Sequence, residues 1–247
     1  MNLAVCRVAI APLRADKSDC SEMVSQVLFG ELIKILDTCN NWIYIETHLD
    51  KYNGWMDSKQ IQFINKDEFE TWKANQLVIT RNLKIKTNLG TIELTKGAFL
   101  HKKNPTAYSI GNLFIKTKHI HKKQSLITFA KSFLNTPYLW GGKTNYGIDC
   151  SGFTQTIFRN EGIELPRDAS QQEKHGKPIF FEARKTGDVA FYSNSEGKII
   201  HVGILISKSK IIHASGRVKI DTIDKKGIYS IELNDYSHTL YSIKRMI

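Results

Sequence analysis

The feature that most limits what this chain can fold into is a change of hydrophobic rhythm near residue 125. Before that point apolar residues come in short runs, near 27–29, 32–36, 42–46 and 54–56, separated by turn-forming stretches such as "TCNN" and "DKYNG". Short strands at this spacing, with no long helical period, predict a small β-barrel over residues 1–75. A short helix over "KDEFETWKAN" (66–75) closes that stretch, with acidic residues at its start and a lysine later. Residues 76–118 repeat the strand style more weakly in "LVITRNLKIKT", "GTIELTKGAFLHKK" and "YSIGNLFIKT", which predicts a second, abbreviated β module. "KTKHIHKKQ" (116–124) is polar and basic, with the composition of a linker.

After the change, "SLITFAKSFLN" (125–135) sets Leu126, Ile127, Phe129, Ala130, Phe133 and Leu134 at helical spacing, and Pro137 stops it. A glycine-rich turn, "WGGKTNYG", leads to a second helix over "CSGFTQTIFRNEG" (150–162), closed by Gly162. Strands then follow in "DVAFYS", "IIHVGILIS", "KIIHASG" and "RVKIDTI". Helices followed by an antiparallel run of strands predict an α+β domain over residues 122–247.

Composition narrows the function classes. No window approaches the ~18 uninterrupted apolar residues of a membrane span. The start, "MNLAVCRVAIAPLRADKSDC", is unlike a secretory signal, because Arg7 and Arg14 interrupt any apolar segment. A cytoplasmic protein with no membrane partner is therefore expected. Cys6, Cys20, Cys39 and Cys150 form no metal-ligand spacing, so no metal or other cofactor is expected. With Cys150 set aside for chemistry, an odd three remain, which fits a reducing compartment. The net charge of +11 would suit an anionic partner, but the lysines are scattered and no nucleic-acid-binding motif accompanies them. A solvated basic surface, without nucleic acid, is the expectation.

Cys150 falls in the first turn of the helix predicted at 150–162, where backbone amides favour a thiolate and lower the cysteine pKa. Alone, such a cysteine is more often a small buried hydrophobe. His201 in "IIHVGILIS" and His213 in "KIIHASG" change the balance. They lie twelve residues apart with "SKSK" between them, which predicts adjacent antiparallel strands and two imidazoles at matching depth. A nucleophilic thiolate needs a base, and the base needs a third group to fix its tautomer. His201 as base and His213 as its orienting partner supply both.

The ordered stretches "PYLWGGKTNYGIDCSGF", "LPRDASQQ", "TGDVAFY", "HVGILI" and "IHASG" resemble the successive motifs of the NlpC-type papain-like cysteine peptidases, which cleave bacterial cell-wall peptides. The resemblance covers roughly residues 122–247. It implies a Cys–His–His triad at Cys150, His201 and His213. It also implies an oxyanion-stabilising aromatic at Tyr138, which read by itself is equally a packed turn residue. "SEMVSQVLFGE" and "DKYNGW" resemble the bacterial SH3-like module that precedes the catalytic domain in the subfamily trimming free muropeptides. The implied fold is an α+β papain-like domain preceded by all-β SH3-like barrel modules.

In that subfamily a Glu and a Tyr of the module recognise the substrate's free N-terminal L-alanine, and the Asp and Ser flanking the nucleophile complete the pocket. The positions fall on Glu22, Tyr52, Asp149 and Ser151, with the carboxylates of Glu22 and Asp149 pairing an α-ammonium. Read as residues, Glu22 is equally a solvated strand-edge charge and Tyr52 equally barrel core. One position departs from the pattern: where some members carry a serine after Arg-Asp, this chain has Ala169, with Ser170 next. Arg167 and Asp168 are either a structural ion pair or ligands.

The resemblance thus implies a γ-D-glutamyl-L-diamino-acid endopeptidase acting on L-Ala-γ-D-Glu-diamino-acid peptides through a thioester; the sequence leaves the oligomeric state open, with a monomer favoured. Competing readings are a peptidase acting on intact peptidoglycan outside the inner membrane, a non-enzymatic wall-binding protein, and an acyltransferase on a related scaffold. The intact Cys150, His201 and His213 disfavour the non-enzymatic one.

Overall fold

The computed structural model describes residues 2–103, 106–117 and 123–246. They divide into two compact units, Met1–Lys123 and Gln124–Ile247. Most of the linker read at 116–124 lies outside the described residues.

In the first unit, strands Leu3–Cys6, Ile10–Arg14, Met23–Leu28, Leu32–Cys39, Trp42–Thr47, Asn53–Asp57 and Ile61–Phe63 pair antiparallel in one sheet. The turn signals sit where the sequence has them: Asn40 (φ 53°) closes the 32–47 hairpin, and Lys51 (φ 55°) lies in "DKYNG". Asparagine is among the few side chains that tolerate this left-handed backbone. Successive residues of a strand face opposite ways, and here both faces are covered. Ala4, Cys6, Val27, Ile33, Ile43 and Ile45 point into one core. Val5, Leu28 and Leu32, their neighbours in sequence, point into another. This is why these strands read as continuous apolar runs rather than alternating ones.

The second core joins what the sequence read as separate modules at 1–75 and 76–118. Helix α1 (Lys66–Asn75) buries Phe69 and Trp72 there, beside Ile79, Leu83, Ile85, Leu94, Phe99 and Ile115 of the second β stretch. A capping box starts α1, with Asn65 and Glu68 each accepting the other's backbone N–H at 2.9 Å. Gly30 (φ 81°) is the meeting point: its carbonyl accepts hydrogen bonds from Trp72 Nε1 and Gln76 Nε2, both at 2.7 Å.

In the second unit, α2 (Leu126–Lys131) is shorter than the 125–135 expected. Phe133 and Leu134 bond back three residues rather than four, and Asn135 (φ 67°) ends the segment before Pro137. Helix α3 (Cys150–Arg159) likewise finishes in a tighter turn, ending at Gly162 (φ 78°), and all ten of its residues are buried. It packs on a sheet whose strands Val189–Ser193, Ile199–Leu205, Lys210–Ser215, Arg217–Ile223, Gly227–Ser230 and Asp235–Arg245 pair in that order. The last pairs back onto the first and closes the sheet. Again both faces are apolar. Phe191, Val202, Ile204, Ile212 and Val218 meet α3, whereas Ala190, Tyr192, Leu205, Ile211 and Ile228 fill the inside of the closed sheet. Among the described residues no helix is long and apolar enough to cross a membrane.

Gly30→Ala tests the junction of the first unit. An added Cβ would stand 2.9 Å from Phe99 Cβ and from the Trp72 ring, at a backbone angle that L side chains rarely adopt. The left-handed backbone and the overpacking together should cost about 2–4 kcal/mol. Urea unfolding followed by tryptophan fluorescence reads it, since Trp42, Trp55 and Trp72 all lie in this unit. An unchanged midpoint would show that the junction yields at no cost.

Candidate active site

Helix α3 starts at the sheet because its first turn is held by an unusually dense polar network. Asp149 is the N-cap, and its carboxylate accepts the backbone N–H of Gly152 at 2.7 Å and of Gly141 at 2.8 Å. The Ser151 hydroxyl adds a third contact at 3.2 Å. The guanidinium of Arg167 grips the same carboxylate with both terminal nitrogens and also reaches Ser151 Oγ at 2.9 Å. All three side chains are buried. The ion pair weighed for Arg167 and Asp168 therefore forms elsewhere: Arg167 pairs with Asp149, and Asp168 is the N-cap of the short α4 (Ala169–Gln172). The Asp149 carboxylate, expected to pair a substrate ammonium, is occupied here by these five donor contacts.

Cys150 sits on this platform with its side chain buried. The backbone N–H groups of Val202 and Ser151 act on its sulfur, and Val202 follows His201 on its strand. The expected lowering of the thiol pKa does not appear. Burial, reinforced by the charge of Asp149, pushes the thiol up to about 12, against the opposing pull of those N–H groups and Arg167. Burial also holds His201 well below the ordinary histidine value, aided by the neighbouring imidazoles. Both shifts favour the neutral form, of the thiol and of the imidazole alike.

The two histidines lie on paired antiparallel strands, as their spacing predicts, but not directly opposite each other. His213 faces Gly203, and His201 lies two residues along, so the rings meet diagonally. Gly203 makes this possible, because a Cβ there would stand 2.8 Å from His213 Cβ. His201 Nε2 lies 2.8 Å from His213 Nδ1, and His213 Nε2 lies 3.0 Å from Asp221 Oδ2. A carboxylate can only accept, so His213 carries its proton on Nε2 and offers Nδ1 as acceptor. His201 must then carry its proton on Nε2, which leaves Nδ1 as its basic nitrogen. The line Asp221–His213–His201 fixes the tautomer of the terminal base.

Tyr138 is partly exposed, and Cys150, Asp149 and Arg167 lie near enough to influence its phenol. Burial, with Cys150 and Asp149, pushes its phenol to about 12, so the group stays protonated and can donate a hydrogen bond. Glu22 and Tyr52 belong to the first unit. Glu22 is exposed just before the strand Met23–Leu28, and Tyr52 is half-buried against the barrel core. Asp221 was not singled out from sequence, although Arg217, Lys219 and Asp221 alternate with Val218 and Ile220 and mark a polar face on that strand. Among the described residues no cluster of three or more metal-ligating side chains is arranged to hold an ion.

Two outcomes follow from this geometry. Because His213 must accept from His201, Asn or Gln at 213 should retain kcat/KM about ten- to hundredfold above Ala at 213. Equal loss in all three variants would remove the orienting role. Because the free site favours the neutral pair, the thiolate ultraviolet band, taken as the difference between the wild type and Cys150→Ala, should be absent at neutral pH. It should grow only as pH rises toward the raised thiol value. A band already present at neutral pH and lost on acidification would establish a thiolate–imidazolium ground state instead.

Comparison with known proteins matches a known domain in each unit. Residues 135–236 match the NlpC/P60 family, and residues 13–61 match the bacterial dipeptidyl-peptidase SH3 domain. Two relatives are named gamma-D-glutamyl-L-lysine dipeptidyl-peptidase. The Bacillus cereus protein is 28% identical over 80% of this chain and 68% of its own length, and the Bacillus subtilis protein 29% identical over 88% and 77%. The fold matches the crystal structure of an NlpC/P60 family protein from Bacillus cereus, with a TM-score of 0.81 at 20% identity over 99% of each chain. The catalytic unit is thus a papain-like cysteine peptidase domain of the NlpC/P60 family, carried behind a bacterial SH3-like β-barrel region.

Proposed function

We propose that this protein is a γ-D-glutamyl-L-diamino-acid endopeptidase that cuts free murein peptides bearing an N-terminal L-alanine, a step of cell-wall recycling in the cytoplasm. The observation that carries this reading is the hydrogen-bonded line from Asp221 through His213 to His201, on the strand whose Val202 N–H acts on the Cys150 thiol. It is supported by relatives with γ-D-glutamyl-L-lysine dipeptidyl-peptidase names that match along both units.

In this reaction the Cys150 thiol gives its proton to His201 Nδ1 as the sulfur attacks the γ-carbonyl carbon of D-glutamate. The tetrahedral oxyanion accepts a hydrogen bond from the Tyr138 phenol. His201 passes the proton to the departing amine of the diamino acid, leaving a γ-glutamyl thioester on Cys150. Water, deprotonated by the same nitrogen, releases the γ-carboxylate and restores the thiol. The imidazolium is needed only while charge develops, which suits a base kept neutral at rest by burial. Asp149 and Ser151 act here as positioning residues for the helix start, and recognition of the α-ammonium is assigned to Glu22 and Tyr52.

The test is mass spectrometry of products from free L-Ala-γ-D-Glu-diamino-acid tripeptide, its N-acetylated form and intact murein sacculi, with Cys150→Ala as the inactive control. Free peptide should be cut and sacculi left intact. Acetylation should lower kcat/KM at least about tenfold, because the acetylated nitrogen no longer offers Glu22 an opposite charge or its donor protons. Glu22→Gln should reproduce part of that loss on free peptide and barely affect the acetylated one. Equal cleavage of free and acetylated peptide would reject the recycling role in favour of a wall-directed endopeptidase.

A further inference from the structure

A hydrogen bond at one nitrogen fixes a point on an imidazole and leaves its plane free to swing. His201 has such a bond, from Nε2 to His213. A second contact fixes its plane. The ring of His238, on the strand Asp235–Arg245 that closes the sheet, lies against His201 with centroids 4.0 Å apart and planes at 24°. The same ring meets Tyr192 at 5.9 Å and His213 at 6.0 Å, both edge-to-face, and its Nδ1 lies 2.9 Å from Ser237 Oγ. Tyr192 also flanks His201 itself at 5.8 Å. The base is therefore boxed by aromatic rings with one parallel to it, an arrangement worth more than the area it buries.

We propose that His238 is a positioning residue for the cysteine-peptidase reaction: its stacked ring fixes the plane of His201 so that Nδ1 stays aimed at the Cys150 thiol, and its π face supports the imidazolium formed on proton transfer. This rests on the reading of His201 as the base. It concerns a residue beyond the NlpC/P60 match, which ends at residue 236. The stack serves this purpose only while His238 is uncharged, since a second cation would oppose the imidazolium. Burial and the adjacent His213 and Lys219 hold His238 down to about 4, so it is neutral throughout the working range.

The test compares His238→Phe, which keeps a stacked ring, with His238→Gln, which keeps a polar group and loses the ring, and with His238→Ala. Two quantities are read: kcat and KM on the free tripeptide, and the rate of alkylation of Cys150 by iodoacetamide at neutral pH, quantified on the Cys150 peptide by mass spectrometry. Alkylation needs the thiol and its base but no particular substrate. A wild type that is alkylated normally yet cuts no tripeptide therefore faults the substrate assignment and leaves this proposal standing. The Phe variant should stay within about threefold of wild type, while Gln and Ala lose about ten- to hundredfold in kcat and alkylation with KM nearly unchanged. If Ala fails to fold, the contrast between Phe and Gln decides. Gln equal to or better than Phe, or all variants within about twofold of wild type, overturns the proposal.

Discussion

The buried pair of Asp149 and Arg167 is the interaction on which the catalytic unit depends. It caps α3, pins the turn at Gly141 and orients Ser151, so the position of Cys150 follows from it. A buried pair of this kind adds little net stability over an apolar substitute, but losing one partner strands a charge at a cost of about 3–5 kcal/mol. Its value here is geometric. Five donor contacts converge on one carboxylate and leave the helix start a single register against the sheet.

The same burial that needs this pair also sets the proton chemistry. Taking Cys150 and His201 out of water raises the thiol and lowers the imidazole, so the resting pair is neutral. In the proposed reaction, charge then appears only as the substrate is attacked, when the surrounding dipoles meet it. The relay behind His201 ends on Asp221, whose carboxyl lies below its usual value: burial alone would raise it, but the bonds from His213 and the Ile231 N–H outweigh that. The ionised end of the line is thus kept two residues away from the reacting sulfur, where it fixes tautomers without repelling a thiolate.

Both units solve their packing in the same way, with sheets buried on both faces. In the first, the outer face of the barrel is covered by α1 and the second β stretch, which share one core with it. In the second, α3 covers one face while the closed sheet fills its own interior. Histidines buried on such a closed sheet are dehydrated and surrounded by other side chains, which makes their low basicity a consequence of the fold.

The sequence by itself determined the division near residue 122, the helix start at Cys150 and the pairing of the strands carrying His201 and His213. These rest on local signals: hydrophobic period, turn residues, and two histidines separated by a short polar turn. By resemblance it also marked Tyr138 as an oxyanion donor and Asp149 and Ser151 as substrate contacts beside Cys150, without showing what each side chain holds in the folded chain. Only the tertiary structure decided that Asp149 is spent on Arg167, that His213 leans on Asp221, and that Gly203 lets the rings meet diagonally. It alone brought His238 onto His201. The physical reason is the same in each case. Hydrogen-bond partners, ring stacking and desolvation depend on which distant strands become neighbours, and sheet closure by Asp235–Arg245 leaves no periodic trace in the residues it brings together.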